Sequence, residues 1–153
     1  MDQCPAFFAY PSKPPALGET IEEAIKQINK QCAIYVKISS WVKLKNTGKI
    51  VISEICREIN NSLLFMCDIS ELNSNVMFEL GFAIAKNKRI WLTVDNSIPL
   101  NIENIKKDDL ISNIGYITYL NDEDIVKSFI QEAPYIDLQS TLLKEYLYLL
   151  DNI

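Results

Sequence analysis

From position 68 to 85 the chain reads Asp68-Ile69-Ser70-Glu71-Leu72-Asn73-Ser74-Asn75-Val76-Met77-Phe78-Glu79-Leu80-Gly81-Phe82-Ala83-Ile84-Ala85. Over residues 76–85 Glu79 is the only charge. Asn75 is a good N-cap, which predicts a helix with Glu79 near the end of its first turn. Projected at about 100° per residue, apolar side chains surround that helix on nearly every side, the pattern of a buried helix. An ionised carboxylate in such a place costs several kcal/mol unless partners compensate. Complementing the helix dipole contributes only about 0.3–1 kcal/mol, too little to account for it. Glu79 is therefore the leading catalytic candidate.

Asp68 closes the apolar run 63–67 and is the second catalytic candidate. It either shares a pocket with Glu79 or starts an Asx-type turn with Ser70. Asn73 and Asn75 are candidates for hydrogen-bonding a ligand, with capping and turn formation as the alternative use. Trp41 follows an expected strand, where it suits base stacking or cover for a sheet edge. Tyr10 and Ser12 follow the first strand, and Ser12 is placed to donate to a phosphate or ribose. The chain contains no histidine. That excludes a Ser-His-Asp or Cys-His nucleophile, an imidazole base and any His-containing metal site.

These residues need a scaffold, and the apolar pattern supplies one. Residues 6–10 are an aromatic, apolar run ended by Pro11, Pro14 and Pro15, which predicts a buried strand and a loop. Thr20-Ile21-Glu22-Glu23 has capping-box spacing, and Ile21, Ala24, Ile25 and Ile28 follow at helical intervals. Residues 33–38 predict a second strand, 39–48 a loop. From Lys49, the residues Ile52, Ile55, Cys56 and Ile59 make an amphipathic helix ending near Asn60-Asn61. Residues 63–67 are five apolar residues in a row, typical of a strand buried on both faces. A helix over about 76–86, strands over 89–94 and 116–120, and helices near 122–131 and 138–150 complete the reading. This alternation predicts an α/β domain spanning 1–153, with a mostly parallel sheet between two helical layers. Ligands in such sheets bind at the carboxyl ends of the strands, near a topological switch point. The loops after Tyr10, Ile38, Asp68 and Asp95 are thus the ones to inspect.

Composition narrows the partners. Fifteen Lys and Arg against twenty Asp and Glu give a net charge of −5 over 153 residues. The phosphate backbone of nucleic acid calls for clustered basic residues, so no direct nucleic-acid binding is expected. Cysteines at 4, 32, 56 and 67 form no C-x-x-C pair, which excludes zinc-ribbon and thioredoxin readings. Cys32, Cys56 and Cys67 lie among apolar residues and read as small core side chains, in a reduced, cytoplasmic setting. No run approaches the ~18–20 apolar residues of a spanning helix, and the N-terminus lacks the pattern of a signal peptide. There is no G-x-G-x-x-G. The one Gly-Lys pair, Gly48-Lys49, has Lys43 where a P-loop needs its first glycine.

The string Asp68-Ile69-Ser70-x-x-Asn73-x-Asn75-Val76-x-x-Glu79-Leu80-Gly81-x-Ala83, followed by Lys88-x-Ile90-x-Leu92, resembles the nucleoside 2-deoxyribosyltransferase-like superfamily and the TIR-like NAD-hydrolysing domains. Phe7-Phe8-Ala9-Tyr10-Pro11 and the stretch carrying Trp41, Gly48-Lys49-Ile50 and Glu54-Ile55 are also similar to that group. The resemblance covers roughly residues 6–95. It implies a flavodoxin-like three-layer domain with a central five-stranded sheet that cleaves the N-glycosidic bond of a nucleoside or nucleotide. By the same resemblance, Glu79 is the catalytic glutamate and Asp68 the aspartate of the preceding strand. Asn73-Ser74-Asn75 replaces the Gly-Thr-rich lead of classical transferases, which favours the TIR-like branch.

The implied chemistry runs without histidine or metal, and NAD enters as substrate rather than cofactor. Breaking a C1′–N bond builds positive charge on the sugar, which a carboxylate attacks or stabilises. Nicotinamide in NAD is already a cationic leaving group; for other bases a protonated Asp68 would assist departure. Base exchange by a deoxyribosyltransferase, or a non-catalytic nucleotide-binding or assembly module, are the alternatives. For the latter, the apolar strip over 146–150 would dock another domain or subunit, with core packing as the more common use of such a strip. The resemblance further implies a homo-oligomer or an assembly with a sensor partner, in antiviral defence by NAD depletion.

Overall fold

A computed structural model describes residues 3–44, 51–109 and 111–138. Five strands carry the architecture: β1 (Cys4–Ala9), β2 (Val36–Ser39), β3 (Leu64–Asp68), β4 (Arg89–Asp95) and β5 (Tyr116–Tyr119). Among the described residues five helices connect or follow them: α1 (Pro15–Gln31), α2 (Val51–Asn61), α3 (Ser74–Ala85), α4 (Pro99–Lys107) and α5 (Asp122–Glu132). The strand order is β2-β1-β3-β4-β5 and every pairing is parallel. This is the flavodoxin-like order, with its switch point between β1 and β3. The expected α/β three-layer fold is what forms, and its sheet is wholly rather than mostly parallel.

Period-two alternation explains why the strands read as continuous apolar runs. Ala6 and Phe8 of β1, Leu64 and Met66 of β3, and Trp91 of β4 face the layer built by α1 and α5. Phe7 and Ala9, Phe65 and Cys67, and Ile90, Leu92 and Val94 face the layer of α2, α3 and α4. Helices cover both faces, so side chains of both parities are mostly apolar. Each fully buried Leu, Phe or Met contributes about 1.5–3 kcal/mol. All four cysteines are free thiols; Cys4, Cys32 and Cys67 are buried in these layers and Cys56 is half-exposed on α2.

Several boundaries differ from expectation for identifiable reasons. Helix α1 begins at Pro15 rather than near Thr20, because proline at the first helical position presets φ and lacks the N–H that would be left unpaired there. The capping box does not form. Thr20 bonds back to the Ala16 carbonyl (3.0 Å), and Glu23 accepts from Gln27 (2.9 Å). Residues 32–35 are turn, so β2 is shorter than the expected 33–38. Helix α4 occupies a stretch with no expected element. Most of the expected helix over 138–150, including the strip 146–150, lies outside the described residues, as does Gly48-Lys49. Among the described residues no helix is long and apolar enough to cross a membrane.

Candidate functional site

The loop from β3 to α3 is built from three local devices. Asp68 Oδ1 accepts from the Ser70 N–H (3.1 Å), which is the Asx turn. Leu72 then takes a left-handed backbone conformation (φ 45°), a strained one for a residue with a Cβ. Asn73 caps α3, its Oδ1 accepting from the N–H groups of Asn75 (3.0 Å) and Val76 (3.3 Å). The cap is thus Asn73 and not Asn75, which lies exposed inside the first turn. Glu79 consequently falls in the second turn of the helix rather than the first.

Helix α3 is apolar nearly all round in sequence, yet only one side of it is buried. Val76, Glu79, Leu80 and Ala83 face inward. Phe78 is 54% exposed, and Gly81 and Ala85 also face solvent. The helix is an outer layer on the sheet beside α2, which leaves it an open side. Glu79 therefore sits on the buried strip by position, not because the whole helix is enclosed. It is 6% exposed and makes no hydrogen bond or ion pair among the described residues. Burial pushes its carboxyl up to about 7. Its charge reaches two thiols, Cys56 on α2 and Cys67 on β3, each already raised mainly by burial. Glu79 thus lies between α2 and the central strand, with no partner for its negative charge among the described residues.

Asp68 is in the opposite situation. Its side chain is fully buried, at 0% exposure. Besides the Ser70 amide, Oδ2 accepts from Thr93 Oγ1 and Tyr119 OH, each at 2.8 Å. Ser70 Oγ in turn accepts from the Asp95 N–H (2.7 Å). This network ties the carboxyl ends of β3, β4 and β5 together. Burial raises the Asp68 carboxyl and the hydrogen bonds from Ser70, Thr93 and Tyr119 oppose that rise. Burial and the Asp68 charge push the Tyr119 phenol upward.

Of the expected ligand-binding residues, Tyr10 and Trp41 come together. Tyr10 follows β1 and is buried; Trp41 opens a short 3-10 turn after β2 (Trp41–Lys43). Their ring centroids are 5.5 Å apart at 49°. Trp41 packs against both apolar layers, so it lies across the end of the sheet beside the switch point. Ser12 is exposed in the proline-rich loop and makes no hydrogen bond among the described residues. Asn73 is engaged as the cap, whereas the Asn75 side chain has no such task.

Sequence reasoning missed Glu22, Ser40, Thr93 and Tyr119. Tyr10 OH and Ser40 Oγ both donate to Glu22 Oε1. The one available signal was spacing on α1: Glu22 and Asn29 are two helical turns apart and share a polar stripe. Asn29 uses it to hold the Ile38 backbone through both N–H (2.8 Å) and C=O (2.9 Å). Among the described residues no group of three or more His, Cys, Asp or Glu is arranged to hold a metal ion.

No protein-family model matches the chain, and no curated protein matches it. Solved structures do. A CMP N-glycosidase of Clostridium botulinum superposes with a TM-score of 0.61 at 17% identity, over 84% of this chain and 98% of that one. A conserved protein from Enterococcus faecalis superposes with a TM-score of 0.57 at 13% identity, over 86% of this chain and 99% of that one. At such identities the likeness is one of fold.

Proposed function

We propose that this chain cleaves the N-glycosidic bond of a nucleotide, with Glu79 acting at the anomeric carbon. The observation that carries the reading is the carboxylate of Glu79, 6% exposed on the buried side of α3 and without a partner among the described residues. A buried ionised group without a partner is costly unless something supplies positive charge. An oxocarbenium-like sugar supplies it, and does so only as the bond breaks, which is the condition for lowering a barrier. The C1′–N bonding pair leaves with the base, water adds to C1′, and the water proton passes to the departing base. Glu79 in its ionised form faces the developing cation. The fold shared with a CMP N-glycosidase supports a nucleotide as substrate.

In this reading Trp41 is the wall on which the base stacks, with Tyr10 behind it. Ser12 and Asn75, whose side chains hold no partner among the described residues, bond the phosphate or sugar. Asp68 serves the site as a frame, since both its oxygens are engaged and its side chain is fully buried.

The test is incubation of purified protein with CMP, other nucleoside monophosphates and NAD, followed by mass-spectrometric detection of released base. Glu79→Gln should lower the rate about 10²–10³-fold, the effect of deleting one electrostatic stabiliser. Wild type and Glu79→Gln turning over equally would refute the assignment. Adding a second base separates hydrolysis from transfer, because only a transferase yields a new nucleoside. Release of nicotinamide without release of cytosine would move the reading to NAD and to NAD-depleting defence.

A further inference from the structure

The reading of Trp41 as a base-stacking wall leaves open what holds the ring in place. Trp41 is half-buried and follows β2, which has no strand on its outer side among the described residues. Its position is set from two directions. Its ring rests against Tyr10, and its backbone continues from Ser40. Both of those residues are buried, Tyr10 at 5% and Ser40 at 1% exposure, and both hydroxyls donate to one atom, Oε1 of Glu22. A Cβ on Gly18 would stand 3.2 Å from the Tyr10 ring, so α1 already lies close along that side of it. Asn29, on the same stripe of α1, fixes Ile38 two residues before Ser40. Helix α1 thus anchors both the strand end that leads into Trp41 and the ring it leans on.

From this arrangement we infer that Glu22 is a positioning residue for the nucleotide site, acting through Tyr10 and Ser40 to fix the Trp41 ring at the carboxyl end of β1. It rests on the proposed role of Trp41 as the base wall. Glu22 itself touches no substrate. Its effect belongs to binding of the base rather than to bond cleavage, and the need is for an acceptor oxygen at that point rather than for a charge. Glu22→Gln retains that acceptor. Glu22→Ala removes it and strands two buried hydroxyls. Glu22→Asp withdraws it by one methylene while keeping the charge.

Two measurements test the inference independently. The first needs no substrate: acrylamide quenching of tryptophan fluorescence. Trp91 is 4% exposed, with its indole N–H bonded to Glu132, so accessible emission comes from Trp41. Quenching should rise in Glu22→Ala and Glu22→Asp and stay at the wild-type level in Glu22→Gln. Unchanged quenching in Glu22→Asp overturns the inference, whether or not Glu22→Ala folds and whether or not any nucleotide is turned over.

The second is kinetic. KM for the nucleotide should rise about tenfold in Glu22→Ala with kcat nearly unchanged, and Glu22→Gln should restore it. In a Trp41→Ala background Glu22→Ala should add nothing further to KM. A full further increase in that background overturns the inference. If wild type releases no base from any nucleotide while quenching behaves as stated, the proposed reaction fails and the positioning of Trp41 by Glu22 stands.

Discussion

Glu79→Gln has a signature in stability as well as in rate, and its pH dependence is calculable. Burial lifts the Glu79 carboxyl from the ordinary 4.5 to about 7. The folded state therefore holds a proton that the unfolded state releases between those values, and stability falls as pH rises through the window. Below 4.5 both states are protonated and Glu79 is neutral toward folding. Above 7 the full cost is present. At roughly 1.4 kcal/mol per pH unit, that cost is about 1 kcal/mol at pH 5 and about 3 kcal/mol at pH 8. Glutamine has no titration, so the variant gains on wild type as pH rises. Any fixed penalty for burying an unbonded amide cancels when the same pair is compared at two pH values. The measurement is urea denaturation of both proteins at pH 5 and pH 8. The stability difference between them should shift by about 2–3 kcal/mol in favour of the variant. In thermal melts this corresponds to about 4–12 °C for a chain of this size. Parallel pH profiles would refute the reasoning, because they would mean that Glu79 titrates like an exposed carboxylate.

The same ionisation should appear in catalysis: kcat/KM for base release should rise with pH through about 7 and then level, since in the proposed function the ionised form faces the sugar cation. A flat pH–rate profile between pH 5 and 9 would contradict it. Asp68→Asn should cost about 2–4 kcal/mol, measured by urea denaturation, because an amide cannot accept on both sides from Ser70, Thr93 and Tyr119. Asn73→Ala should destabilise by about 1 kcal/mol and Asn75→Ala by less than about 0.5 kcal/mol, since only Asn73 caps α3. Equal effects in that pair would return the cap to Asn75.

Where the sequence was legible, one physical signal dominated. The run 63–67 announced a strand buried on both faces, and β3 lies at the centre of the sheet, one residue offset at Leu64–Asp68. Helix α4 escaped because few of its side chains pack inward, and one of those is the polar Asn101. Pro99 at its start and Lys106-Lys107 at its end were the available marks. The partners of Asp68 were invisible for a different reason: Thr93 and Tyr119 lie 25 and 51 residues away, brought in only by strand register. Glu22 was hidden by the misplaced start of α1.

Two carboxylates stand near the carboxyl end of the central strand, and the fold treats them oppositely. Asp68 has lost all contact with water, and three hydrogen bonds work against the effect of that burial. For Glu79 burial acts unopposed. A fold selected for stability alone would place a leucine or glutamine on that strip of α3, because the cost of the bare carboxylate is a sizeable share of the 5–15 kcal/mol that typically separates folded from unfolded chains. Deep burial also strengthens whatever charge interaction Glu79 does make, since little water competes. The lack of a partner among the described residues is therefore the informative feature. A cationic side chain there would stabilise the fold and silence the carboxylate, whereas in the proposed function a carboxylate unpaired among the described residues meets charge that arrives with the substrate and grows as the glycosidic bond opens.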